Sequence, residues 1–231
     1  MTQTADVSFP IASRREGETI QEWAYQQLRR AIMRGRIVPG RNLTIRGVAD
    51  MFGVSPMPVR EALRRLVAER ALDLPGNRRV RIPIMSPARF EELCEARVAL
   101  EPLAAERALP AITADGLRRL REIDAELDSA IGAGDVERFV IKNQEFHLSM
   151  YRTMPSQVLV PLIESLWLQF GPFMRMAIHS LGDHYLVDRH KEAMDAIERQ
   201  DPYALRIAIE ADIRDGMAHL GRAELLNTYR A

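Results

Sequence analysis

Cysteine is nearly absent: Cys94 stands alone in 231 residues. No intrachain disulfide can form, and a reducing compartment suits such a chain. No run of about 18 apolar residues occurs, which excludes a membrane-spanning helix. The opening stretch, MTQTADVSFPIASRRE, lacks an apolar core of signal-peptide length. Internal repeats and low-complexity tracts are missing as well. So is net charge, since 32 Lys and Arg balance 32 Asp and Glu. What remains is ordinary for a globular protein, 47% hydrophobic and 28% charged. The length suffices for two modest domains, each with its own core.

The zero net charge hides a division. Residues 1–85 carry 15 basic against 8 acidic side chains, a net +7, and residues 86–231 carry 17 against 24, a net −7. Such asymmetry points to one basic domain with an anionic partner and one acidic domain with another task.

Residues 1–17 read as a flexible arm. From Thr19 to about Arg34, the apolar residues Ile20, Ala24, Leu28, Ala31 and Ile32 recur at helical spacing. GRIVPGRNLT breaks that pattern. TIRGVADMF is a short helix with Thr44 as its N-cap. Gly53 turns the chain, and SPMPVREALRRLVAER begins a third helix. Ser55 is expected to cap the N–H of Met57, because Pro58 has none, while Pro56 suits the first helical position. Val59, Ala62, Leu63 and Leu66 form the buried stripe; Met57, Arg60, Glu61 and Arg64 fall opposite. ALDLPGNRRVRIP reads as a hairpin about Pro75, Gly76 and Asn77.

Helix, helix, glycine turn, helix and hairpin predict a winged helix-turn-helix over 18–83. Its third helix suits the major groove, where Arg60 and Arg64 can bond phosphates or the acceptor edge of guanine. Arg78 and Arg79, beside Gly76 in the wing, can reach backbone or minor groove. Residues 84–90 form a linker, stiffened by Pro83 and Pro87. From 91 to 225 every segment reads as helix: about 87–109, 114–132, 135–153, 157–181, 184–200 and 202–221. The fold class is mostly α, a winged helix-turn-helix with a small β wing followed by an all-α bundle. Trp167, Phe170, Phe173 and Met174 lie at helical spacing and suit core better than pocket wall.

The stretch YQQLRRAIMRGRIVPGRNLTIRGVADMFGVSPMPVREALRRL resembles the DNA-binding domain of GntR-family bacterial transcription regulators. The stretches EARVALEPLAAERA, NQEFHLSMY and RHKEAMDAIERQDPYALRIAIEADI resemble the FCD-type ligand domain of the FadR-like subgroup. Together they span about residues 18–225. The resemblance implies a cytoplasmic, nucleoid-associated bacterial homodimer that binds a palindromic operator on double-stranded DNA and has no membrane partner. On the DNA side it matches Arg46, Ser55, Arg60 and Gly76. The family usually has an arginine directly after the position of Ser55; here Pro56 and then Met57 follow. The operator should therefore differ, or be held more weakly, at the corresponding base pair.

For the helical domain the resemblance implies one divalent metal, Zn²⁺, Ni²⁺ or Mn²⁺, at Asn143, His147, His190 and Asp212. Asn143 and His147 are four apart and share a helix face. Relative to the family, a carboxylate has become the amide of Asn143 and a histidine has become Asp212. Two imidazoles, one carboxylate and one carbonyl oxygen remain, acceptable to such metals though weaker at Asn143. Arg97 matches an arginine that tends to point into the cavity. Its anion is either Glu101, one turn on, or the carboxylate of an organic-acid effector held with His147 and His190. His179, on an apolar stretch, is a candidate to line the same cavity; His184 and His219 lack such support.

These readings combine into a DNA-binding transcription regulator, a repressor by the commoner mode of the family, modulated by a small organic acid. One alternative is a regulator that responds to the metal itself. A metalloenzyme on His147, His190 and Asp212 is the remaining one, and no separate general base stands out for it.

Overall fold

The protein is described from a computed structural model over residues 9–76, 79–181 and 189–220, with side chains except at 75, 76, 176, 177, 179–181, 219 and 220. Its contacts divide it into two units, Met1–Met85 with Trp167–Phe173, and Ser86–Leu166 with Met174–Ala231.

The first unit begins with α1 (Ile20–Met33), whose N-cap Thr19 accepts the N–H of Glu22. Ala24, Leu28 and Ile32 are fully buried along one face, whereas Ile20, in the first turn, is exposed. The segment expected to be a flexible arm is held from Phe9 onward. The Phe9 ring meets Phe52 edge-on, and the Ala12 carbonyl accepts the Trp23 indole N–H at 2.8 Å. Gln27, buried in α1, accepts the Ala12 N–H. An apolar residue and a satisfied backbone fix this piece, which its composition alone did not reveal.

A two-residue strand β1 (Asn42–Leu43) precedes α2 (Ile45–Phe52). Thr44 caps α2 by accepting the Gly47 N–H, and Gly53 ends it at φ 64°, the left-handed conformation that glycine adopts without strain. Helix α3 (Pro56–Ala68) follows and buries Val59, Ala62, Leu63 and Leu66, as the periodicity predicts. Each of its two buried leucines contributes about 1.5–3 kcal/mol.

The expected cap at the start of α3 is not formed: the Ser55 side chain makes no capping hydrogen bond. A capping hydroxyl reaches the third helical N–H most readily, and that position is Pro58. The wing is the antiparallel pair β2 (Asp73–Gly76) and β3 (Arg79–Arg81), with an irregular register between Asp73 and Gly76. Strand β1 joins the far edge of β3, pairing Leu43 with Val80, so the sheet order is β1-β3-β2. The hairpin was legible; β1 was not, because two residues carry no alternation.

Every secondary-structure element of the second unit among its described residues is helical. The unit comprises α4 (Pro87–Ala108), a 3₁₀ turn (Leu109–Ala111), α5 (Ala114–Gly132), α6 (Val136–Tyr151), α7 (Leu159–Leu181, shared with the first unit), α8 (His190–Glu198) and α9 (Pro202–Leu220). Ser86, Thr113 and Asp135 cap α4, α5 and α6 through their side chains. The described helix α8 begins at His190, and the expected stretch 184–188 lies outside the described residues. The packing closes a ring: α4 lies on α9, α9 on α8, α8 on α5, α5 on α6, and α6 on α4. Polar side chains from all five helices meet inside that ring.

Candidate functional site

The arginines of α3 fall into two groups. Arg65 is committed to its own domain. It pairs with Glu22 of α1 at 2.9 Å and with Glu69, and its guanidinium lies 3.6 Å from the centre of the Tyr25 ring. The Tyr25 hydroxyl donates to Glu69, and its pKa is pushed up to about 12, by burial first and then by that carboxylate. Arg60 and Arg64 point outward; Arg64 is paired with Glu61 at 3.5 Å, and Arg60 has no ion pair among the described residues. Arg46, Ser55 and Met57 are also exposed, Met57 to 61%. Arg79 is exposed on β3. Gly76 ends β2, and Arg78 lies outside the described residues. The exposed hydroxyl of Ser55, which caps no helical N–H, and this positive face share the start of α3, where a helix N-terminus favours anions.

Inside the second unit, a buried chain runs from Arg97 to Asp212. The Arg97 guanidinium donates to both carboxylate oxygens of Glu101, at 2.5 and 3.5 Å. Of the two anions the sequence left open for Arg97, the structure supplies Glu101. The pair is buried; burial lowers the Arg97 pKa, but Glu101, joined by Tyr151 and Asp212, outweighs it and the net shift is upward. The Tyr151 hydroxyl donates to Glu101 at 3.0 Å, and His147 Nδ1 lies 3.1 Å from that same hydroxyl. His147 Nε2 faces Asp212 Oδ2 at 3.2 Å. Across the ring, His190 Nδ1 meets Asp124 Oδ1 at 2.9 Å, and the Phe146 ring stacks on its imidazole.

Counting protons assigns the tautomers. A phenol has one O–H, and that of Tyr151 goes to the Glu101 carboxylate, which is paired with the Arg97 guanidinium. His147 Nδ1 must then be the donor toward the Tyr151 oxygen. That leaves a lone pair on Nε2 of the neutral ring, facing the lone pairs of the Asp212 carboxylate. Two lone pairs at 3.2 Å require a cation between them, either a proton on His147 or a metal ion. Asp124, accepting from His190 Nδ1, likewise leaves Nε2 as the nitrogen that can bind an ion. Burial pushes the Asp212 carboxyl up. With protonated imidazoles, the alternative to a metal ion, the His147 hydrogen bond and charge, the His190 charge and the Arg189 backbone N–H outweigh this and hold it well below the usual carboxylate range.

One ligand atom each from His147, His190 and Asp212 lies within 4.8 Å of the others. Both imidazoles are oriented from behind by a hydrogen bond, the arrangement that supports metal-ligating histidines. The donor set therefore fits a borderline divalent ion. Asn143 stands one turn before His147 on α6 and is half-buried. The side chains of His179 and His219 are not among those described, and His184 lies outside the described residues altogether. Sequence reasoning missed Asp124 and Tyr151. A signal for Asp124 existed: it occupies a place in the stripe Leu117, Leu120, Ile123 and Leu127 where the other members are apolar.

A basic winged helix on one unit and a polar-centred helical ring on the other define a class, the single-chain transcription regulator with a DNA-reading head and a ligand-binding bundle. Residues 20–82 match the bacterial regulatory proteins of the gntR family, and residues 92–215 match the FCD domain. The chain belongs to the gntR family and carries an FCD domain as its helical unit; it is a DNA-binding transcription regulator, not an enzyme. The HTH-type transcriptional regulator McbR of Escherichia coli (strain K12) is 30% identical over 185 residues, 80% of each chain. The gluconate operon transcriptional repressor of Bacillus subtilis (strain 168) is 26% identical over 211 residues, 87% of this chain and 84% of that one. Among solved structures, E. coli McbR/YncC aligns with a TM-score of 0.79 at 25% identity, over 88% of this chain and 97% of that one. Among the described residues, no helix is long and apolar enough to cross a membrane.

Proposed function

We propose that the chain is a homodimeric cytoplasmic repressor whose grip on a palindromic operator is released by a small organic acid bound in the helical ring. The observation that carries the ligand half is the demand for a cation between His147 Nε2 and Asp212 Oδ2. His147, His190 and Asp212 would hold one divalent ion, Zn²⁺, Ni²⁺ or Mn²⁺, with Asn143 one turn away as a weak fourth donor. When bound, such an ion supplies a Lewis-acidic position that a carboxylate can complete. Arg97 serves this site indirectly, by fixing Glu101 and through it Tyr151 and His147. The start of α3, with Ser55, Met57, Arg60 and Arg64, supports major-groove binding, joined by Arg46 of α2 and by Gly76, Arg78 and Arg79 of the wing.

Two half-sites make the geometry strict. A shift of an ångström or two in one recognition helix loses phosphate contacts, and affinity follows their number. The test is a thermal-shift series on the purified chain with small mono- and dicarboxylic acids, each with and without Zn²⁺, Ni²⁺ and Mn²⁺, followed by operator gel shifts. An acid that raises the melting temperature by mass action should also release the operator. His147→Ala should abolish both effects while leaving operator binding intact. A variant that still responds to the acid would place the ligand elsewhere.

A further inference from the structure

The described methionines differ sharply in burial. Met33, Met85, Met150, Met174, Met194 and Met217 are buried, and Met51 is half-buried. Met57 is 61% exposed and Met154 36%. Met154 lies in the second unit, whereas Met57 is the second residue of α3, on the outward face that also carries Arg60 and Arg64. Cys94, the single thiol, is half-buried on α4, and burial pushes its pKa up, away from the reactive thiolate. Of the sulfur atoms in the first unit whose surroundings are described, that of Met57 is the most open to a reagent in solution.

Its surroundings give oxidation a consequence. Pro56 and Pro58 have no N–H, so Met57 supplies the single backbone donor among the first three positions of α3, and the Ser55 side chain does not cap it. Arg60 stands one turn on, with no ion pair among the described residues. A thioether is a weak acceptor, so reduced Met57 leaves both donors to an outside partner and offers an apolar surface to a thymine methyl. A sulfoxide oxygen is a strong acceptor with partial negative charge, which the N-terminus of a helix attracts. It would engage the Met57 N–H and Arg60 itself, and it would set a polar group where the thioether set an apolar one.

We propose that Met57 is a redox modification site, and that its conversion to the sulfoxide by a hypohalous acid loosens the grip of the chain on its operator. With hypochlorous acid, the sulfur takes the chlorine and hydroxide leaves; water then adds to the sulfur, and chloride and protons depart. The net change is thioether plus hypochlorous acid to sulfoxide, chloride and a proton. Sulfur loses two electrons and chlorine gains them. A methionine sulfoxide reductase reverses the step, oxidising a dithiol to a disulfide and releasing the oxygen as water. The proposal rests on the assignment of the first unit as the DNA-reading domain, and it adds a chemical signal that does not pass through the buried centre of the second unit.

The test treats the full chain with increasing equivalents of hypochlorous acid and quenches with free methionine. Peptide mass spectrometry follows each methionine, and gel shifts follow affinity for a duplex that the untreated protein selects from a random pool. The Met57 peptide should gain one oxygen ahead of the peptides holding buried methionines. Affinity should fall in step with it by about 5- to 100-fold, the weight of one good base contact. The melting curve should stay unchanged, and methionine sulfoxide reductase with a dithiol should restore binding. A chain carrying Cys94→Ala and Met154→Leu should respond as the parent does. Met57→Leu has no sulfur to oxidise, so the oxidant should leave its affinity where it started. Full oxidation of Met57 at unchanged affinity overturns the proposal. So does a loss that persists in Met57→Leu, that vanishes in the Cys94→Ala and Met154→Leu chain, or that tracks a falling melting temperature. If the untreated chain selects no duplex at all, the DNA assignment itself fails and the proposal falls with it.

Discussion

Tyr151 decides what the centre of the helical ring can hold. Its single proton goes to Glu101, which obliges His147 to donate from Nδ1 and to present Nε2 inward. Tyr151→Phe removes the oxygen from both bonds while keeping the ring that fills this fully buried position. The imidazole then loses its orienting partner. Affinity for Zn²⁺ or Ni²⁺ should fall by about 10- to 100-fold, the usual cost of losing such an outer partner. Calorimetric titration of metal into the purified variant measures this, with far-ultraviolet circular dichroism to confirm the fold. A variant that binds metal as tightly as the parent would show that His147 needs no partner behind it. The cluster of His147, His190 and Asp212 was legible because the family resemblance marks all three positions, whereas helical spacing relates only Asn143 to His147. Asp124 and Tyr151 were not, because their role depends on which helices the ring places side by side. No local pattern records that adjacency.

At the scale of the element, α3 shows why a row of like charges has more than one fate. Arg60, Arg64 and Arg65 are one basic cluster in the sequence. Arg65 leans back over Tyr25 and pairs with a glutamate 43 residues earlier in the chain. The apolar stripe was fully readable because its period is local. The commitment of Arg65 was hidden because its partners, Glu22 and Tyr25, belong to α1. The two kinds of arginine should separate by experiment. Arg65→Ala should lower stability by about 0.5–1 kcal/mol, since the site is half exposed and solvent screens the charges. Its ratio of specific to non-specific DNA affinity should be preserved. Arg60→Ala should leave the melting temperature unchanged and cost about 1–3 kcal/mol of discrimination at one base pair. Thermal melts and competition binding, run on both variants, decide this. Matching behaviour would mean that α3 does not sort its arginines as the hydrogen bonds indicate. The proline-bearing start of α3 belongs to the same scale: a cap read from residue type alone fails when the N–H it would bond is missing.

Over the whole molecule, electrically balanced on average, the +7 part carries the exposed arginines and the −7 part encloses the cation-seeking centre. The positive excess therefore lies with the DNA-reading component, whose partner is a polyanion. The ring gives the second component a collective property. Because the Arg97-to-Asp212 chain joins α4, α6 and α9 while the separate His190–Asp124 bond joins α8 and α5, an ion at His147, His190 and Asp212 would link the two sets and brace all five helices. Stabilisation by such an ion is about 4 kcal/mol when its free concentration is a thousand times its dissociation constant. Dialysis against a chelator should therefore lower the melting temperature of the full chain by several degrees, and added Zn²⁺ or Ni²⁺ should restore it. Operator affinity separates the two regulatory schemes. If an organic acid is the signal, the chelated protein should bind operator as tightly as the parent and no longer be released by the acid, because the carboxylate has lost its Lewis-acidic position. If the metal is the signal, chelation alone should change operator affinity, and acids should have no effect at any metal concentration. A melting temperature that is indifferent to both chelator and added metal would leave His147 charged by a proton instead. The centre would then be a buried ion pair that holds the ring together without any ion.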